Sequence, residues 1–120
     1  MTVNKLKPNS LVSDVVEYYL NTKAFARLKG STQKEYEGSL KIALETKTLL
    51  GKTLGDTRLN KIKTKCANHL YEQWLDRGIS RANKISTITS IIFNKAISLD
   101  IMYHNPMIGI DRVANKERKV

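Results

Sequence analysis

Asn83, Thr87, Ser90 and Asn94 follow one another at spacings of four, three and four residues. A helix advances about 100° per residue, so these four side chains stack on one side. All are uncharged hydrogen-bonding groups, with no carboxylate among them. Asn can bond donor and acceptor on adenine in the major groove, and Ser or Thr serves several bases. Arg81 and Lys84 stand at the start of the same stretch, where a cation grips phosphate or guanine. A second candidate is the run from Lys29 to Lys34. The free N–H groups of a helix start suit a phosphate. Ser31, Thr32 and Gln33 add donors there, Lys34 and Lys41 add charge, and Gly38 allows a close backbone approach.

Other chemistry is missing from the chain. No Gly-rich run ends in Gly-Lys-Ser or Gly-Lys-Thr, and no Gly-Xaa-Ser-Xaa-Gly elbow occurs. His69 reads as a surface residue and His104 as a loop residue ahead of Asn105-Pro106. Cys66 is the single cysteine, so no internal disulfide forms, and with only two histidines beside it structural zinc is not expected. Nothing assembles a nucleophile, a base and an orienting group. No catalytic residue, metal or cofactor is therefore expected. Tyr18, Tyr19, Tyr36, Tyr71 and Trp74 read as core aromatics.

The elements that position these groups are helical. Apolar spacings of three and four recur, and alternation with period two is absent. The spacing predicts four main helices, over 11–28, 32–50, 65–77 and 81–99. Ser10, Ser31 or Thr32, Thr64 and Ser80 are their expected caps. Gly51 and Gly78 are expected to close the second and third. Leu54, Leu59 and Ile62 pin the basic connection over 52–63 to the core. In the fourth helix Ile85, Ile88, Ile92, Ala96 and Leu99 form one face, widened by Phe93 and Ile97, which makes that helix central. A short fifth helix is expected near 107–113. The reading is an all-α compact bundle over 10–110, with a flexible leader over 1–9 and a charged linker over 111–120.

The chain has 120 residues, with 21 Lys plus Arg against 11 Asp plus Glu, a net charge of +10. One basic block lies over 47–65, an acid-free one over 77–95, and a third in the tail. Unopposed cations repel one another unless an anion is present, so a polyanionic partner is expected. No apolar run approaches the roughly 20 residues of a membrane span, and no export signal is visible at the start. The expected location is cytoplasmic, in a bacterial host, with no membrane partner.

Four landmarks in order resemble the core-binding domain of tyrosine recombinases of the phage-integrase type. They are Gly30-Ser31-Thr32-Gln33-Lys34-Glu35-Tyr36; Leu49-Leu50-Gly51 with Leu54 and Leu59; Leu75-Asp76-Arg77-Gly78-Ile79-Ser80; and Ala96-Ile97-Ser98-Leu99-Asp100-Ile101 before Asn105-Pro106. The resemblance spans about residues 10–110. It implies a SAM-like helical bundle that clamps duplex DNA at the core of an attachment site, with its second and fourth helices toward the major groove. Position by position, Lys34 and Lys41 match the family's basic outward face on the second helix. Arg81, Asn83, Lys84, Thr87, Ser90 and Asn94 match its groove-facing helix. The implied partners are a C-terminal catalytic domain of the same parent chain and other recombinase protomers on DNA.

One departure is large. The family's chemistry needs arginines, a His followed two residues later by Arg, and a nucleophilic Tyr. Neither His69 nor His104 has that sequel. This chain is therefore expected to bind DNA without cutting it, as a piece of a longer integrase. The alternatives are a helix-turn-helix-like transcriptional regulator, turning at Gly78-Ile79-Ser80, and a basic phage protein-interaction module.

Overall fold

The computed structural model describes residues 5–114. Five α-helices follow in order: α1 Val12–Leu20, α2 Lys23–Ala26, α3 Gly30–Glu45, α4 Thr64–Trp74 and α5 Ile79–Ser98. Three-ten turns occupy Leu54–Asp56, Leu59–Lys61 and Leu75–Arg77. Among the described residues there is no strand, only isolated bridges between Leu11 and Arg58 and between Lys47 and Thr53. The architecture is an all-α bundle, as the periodicity predicts.

The long α5 packs against α1, α3 and α4. It buries Ile85, Ile88, Ile92, Phe93 and Ala96 of the predicted face, together with Ala82, while Ile97 and Leu99 at its end are only half-buried. Around it close Val12, Val15 and Val16 of α1, Leu40 and Ala43 of α3, and Ala67, Leu70, Tyr71 and Trp74 of α4. Leu54, Leu59 and Ile62 are buried, so the connection over 52–63 is pinned as expected.

Several boundaries differ from expectation, each for a local reason. The first predicted helix is two. Thr22 interrupts it by donating its hydroxyl to the Tyr19 carbonyl while accepting from the Phe25 N–H, a side-chain bond that replaces the helical ladder. The second helix begins at Gly30, one residue before Ser31, with Lys29 as its cap and no side-chain cap bond. It ends at Glu45 rather than near Leu50. Thr46 leaves the helical region, its N–H bonded to Ala43 and its carbonyl to the Leu54 N–H. Gly51, at φ +84°, therefore turns a tight loop instead of closing the helix, and Leu49 and Leu50 stand exposed. Gly78, at φ +106°, does separate α4 and its three-ten extension from α5. Neither Thr64 nor Ser80 is a cap; both lie within the first turn of their helices.

Of the expected leader and linker, residues 1–4 and 115–120 lie outside the described residues. Within the described part of the leader Leu6 is buried and Arg58 donates to the Asn9 carbonyl, while the other residues over 5–9 are exposed. No helix forms over 107–113. After a turn at 106–109 the chain runs without regular structure to Ala114.

Candidate nucleic-acid interface

A cleft of about 500 Å³ opens between α3 and the first half of α5. Glu35 and Tyr36 line one wall, and Ser80, Asn83, Lys84, Thr87 and Ile88 the other. Lys84 Nζ pairs with Glu35 Oε2 across it, the one ion pair among the described residues, with both side chains partly exposed. Arg81, in the first turn of α5, is exposed. The acid-free appearance of α5 is thus a property of its own sequence, because α3 supplies the carboxylate.

The predicted polar stripe does lie outside the helical core. Asn83, Thr87, Ser90 and Asn94 sit opposite the buried face of α5. They do not, however, simply face solvent, because the segment over 105–113 runs across them. In the first half of the helix, Asn83 accepts from the Tyr71 hydroxyl at 2.7 Å and donates to the Val113 carbonyl at 3.1 Å. Thr87 donates to the Asn83 carbonyl and accepts from Arg112 Nη1, both at 3.0 Å. The same Nη1 reaches the Asn83 carbonyl at 3.5 Å, and the Val113 N–H donates to the Tyr71 hydroxyl at 2.8 Å.

In the second half the partner is Asn105. Its Nδ2 donates to Ser90 Oγ at 2.8 Å, to Asn94 Oδ1 at 3.0 Å and to the Ser90 carbonyl at 3.2 Å. Its Oδ1 accepts from the Met107 N–H at 2.9 Å. Asn105 is only 1% exposed, and Pro106 and Met107 beside it are buried. Ser90 and Asn94 therefore hold a buried turn, a role that periodicity alone does not reveal. Tyr71, Asn105 and Arg112 are the polar residues of this face that sequence reasoning missed. Tyr71 reads as core, and it is 1% exposed, but its hydroxyl sits at the core's edge. Asn105 reads as a break before proline and Arg112 as tail. Nothing in their spacing links them to α5.

On α3, Ser31, Lys34 and Lys41 are exposed and Thr32 is half-buried. Lys34 and Lys41 are seven residues apart, about two turns, on the side opposite Leu40 and Ala43. Gly38 between them has nothing within 4 Å of where a side chain would start, so that face is open to a close approach. Gln33 is not available as a ligand donor. Its Nε2 closes the end of α2, donating to the Leu28 carbonyl at 2.9 Å and to Phe25 and Ala26 at 3.3 Å. The basic connection presents Lys47, Lys52, Arg58, Lys61, Lys63 and Lys65, all exposed.

Burial, with Tyr36 adding to it, raises the Tyr19 hydroxyl above its ordinary pKa, which keeps it neutral within an aromatic cluster with Phe25. Among the described residues no group of three His, Cys, Asp or Glu side chains could hold a metal. His104 is exposed, 3.5 Å from the Thr64 hydroxyl, and Cys66 is buried. No helix of the described residues is long and apolar enough to cross a membrane. No known protein family, curated protein or solved structure matches this chain.

Proposed function

We propose that this chain is a duplex-DNA-binding helical domain, of the kind that serves as the core-binding half of a phage-integrase-type tyrosine recombinase. The observation that carries the reading is the α3–α5 pair. Asn83, Lys84 and Thr87 of α5 line a cleft against α3, and the same two helices carry the exposed cations Lys34, Lys41 and Arg81. A 20-residue helix is about 30 Å long, and the major groove, about 12 Å wide, admits one helix along its length. The net charge of +10 gives such a surface the counterion-release driving force that dominates duplex affinity.

In this reading cations position the domain on phosphates, and the exposed Thr87 and Asn94 of the outer stripe are reachable by base edges. Hydrogen bonds within the fold engage all four residues of the stripe, and Thr87 and Asn94 remain exposed. Strand cleavage belongs to a catalytic domain elsewhere in the parent protein, and DNA integration is the process served.

The test is binding of a labelled duplex by fluorescence anisotropy over a salt series. The expected result is measurable binding at low salt that weakens steeply, with a log–log slope near −0.9 for each phosphate neutralised. Lys34→Ala and Lys41→Ala should each weaken specific and random duplexes alike and flatten the slope by roughly one. An absence of binding at low salt would overturn the reading and favour a protein-interaction module.

A further inference from the structure

We propose that Arg112 is a duplex-contacting residue, mounted on α5 by the domain itself, with Tyr71 and Asn83 as its positioning residues. This rests on the DNA-binding reading above and adds to it a cation from outside the helices.

The argument begins with the backbone. The stretch over 110–114 has no regular structure, and a free chain of that kind costs about 1–2 kcal/mol per residue to order. Here folding itself orders it. The Asp111 N–H approaches Asn68 Oδ1 at 3.4 Å, and Val113 is clipped on both sides, its N–H to Tyr71 and its carbonyl to Asn83. The Tyr71 ring is buried, so the clip is anchored in the core.

The guanidinium comes next. Arg112 is an exposed residue whose Nη1 meets Thr87 Oγ1 and the Asn83 carbonyl. Both partners are uncharged, so among the described residues the group is oriented without being neutralised. A guanidinium carries five N–H donors in a rigid fork, and these contacts engage only Nη1. The Nε and Nη2 donors keep the geometry that receives two oxygens of a phosphate or the O6/N7 edge of guanine. Lys84 makes the contrast, since Glu35 already offsets its charge. Thr87 and Asn83 both line the α3–α5 cleft, so Arg112 stands at the border of the proposed DNA surface. A polyanion there meets a cation whose orientation has already been set during folding.

The test uses the full chain, a fluorescein-labelled duplex and anisotropy across a salt series. Arg112→Gln should weaken binding about 5- to 10-fold at low salt and flatten the slope by about 0.9, with no fall in melting temperature. Arg112→Lys should keep the slope but recover only part of the affinity, because it keeps the charge and loses the fork. Tyr71→Phe keeps every charge and should lower affinity severalfold at an unchanged slope. If Tyr71→Phe folds poorly, Thr87→Val removes the guanidinium acceptor at the surface and should do the same. Wild-type affinity and slope in Arg112→Gln would overturn the inference, while loss of binding in Lys34→Ala would leave the DNA reading standing. Unchanged affinity in both Tyr71→Phe and Thr87→Val would remove the positioning role. No duplex binding by the wild-type chain would remove the DNA reading itself.

Discussion

The two halves of the outer stripe of α5 carry the same kinds of residue at the same spacing, yet the fold uses them differently. Ser90 and Asn94 grip Asn105, whose side chain is 1% exposed and whose neighbours Pro106 and Met107 are buried. Asn83 and Thr87 meet Arg112 and Val113, which are exposed. The first arrangement is a knot around a buried amide: Asn105 must be partnered because water cannot reach it, while Asn94 on its rim stays exposed. The second is an arm, whose groups can trade one partner for water or for a ligand at little cost. Residue type and register thus define a face, and the burial of what lies on it decides between structure and recognition.

The largest effect that sharpens this contrast is at the knot. Asn105→Ala removes the side chain that binds Ser90, Asn94 and the Met107 N–H. Emptying that buried site and stranding the buried Met107 N–H should cost about 2–4 kcal/mol, a melting-temperature drop on the order of 10 °C, read by thermal and urea denaturation. A loss near that of an ordinary exposed hydrogen bond would break the distinction. At the arm, Tyr71→Phe should cost about 1 kcal/mol. Amide exchange should quicken at Val113 and stay unchanged at Met107, showing that the two regions open separately. Equal acceleration at both would merge them into one unit.

Glu35→Gln separates binding from stability. An exposed ion pair contributes about 0–1 kcal/mol, so denaturation should change little. Freed Lys84 should bind duplex a few-fold more tightly, with a salt slope steeper by up to about one. Asn94→Ala should reduce the preference between DNA sequences, because that side chain is exposed, whereas Asn83→Ala should lower affinity through Arg112 and leave the preference nearly unchanged. Equal loss of preference in both would return the whole stripe to base reading. The smallest effect concerns two hydroxyls. Ser39 Oγ and Ser86 Oγ are buried without a hydrogen-bond partner. Replacing either with Ala should be neutral or stabilising by up to about 1 kcal/mol.

Much of the fold is legible in the sequence because helix faces announce themselves by period. The buried face of α5, the Ala67, Leu70, Tyr71 and Trp74 face of α4, and the anchoring of Leu54, Leu59 and Ile62 all follow from apolar spacing. Helix ends are less legible, since they depend on single hydrogen bonds. Thr22 stops α1 through its own hydroxyl, and Thr46 ends α3 where its carbonyl meets the Leu54 N–H. Gln33 looks like a donor at a helix start, but its amide is spent on three carbonyls of the preceding turn.

What the sequence by itself determines is therefore the class of the protein: an all-α chain, strongly basic, with one helix apolar on one side and uncharged-polar on the other. These properties are local or additive, and no partner in space is needed to read them. The tertiary structure alone decided that Glu35 offsets Lys84, that the buried Asn105 bonds Ser90 and Asn94, and that Tyr71 and Asn83 bring Arg112 to the cleft. Those contacts join residues from 11 to 49 positions apart. Their formation depends on packing that brings two solvated polar groups together, and composition and periodicity do not record which pair will meet.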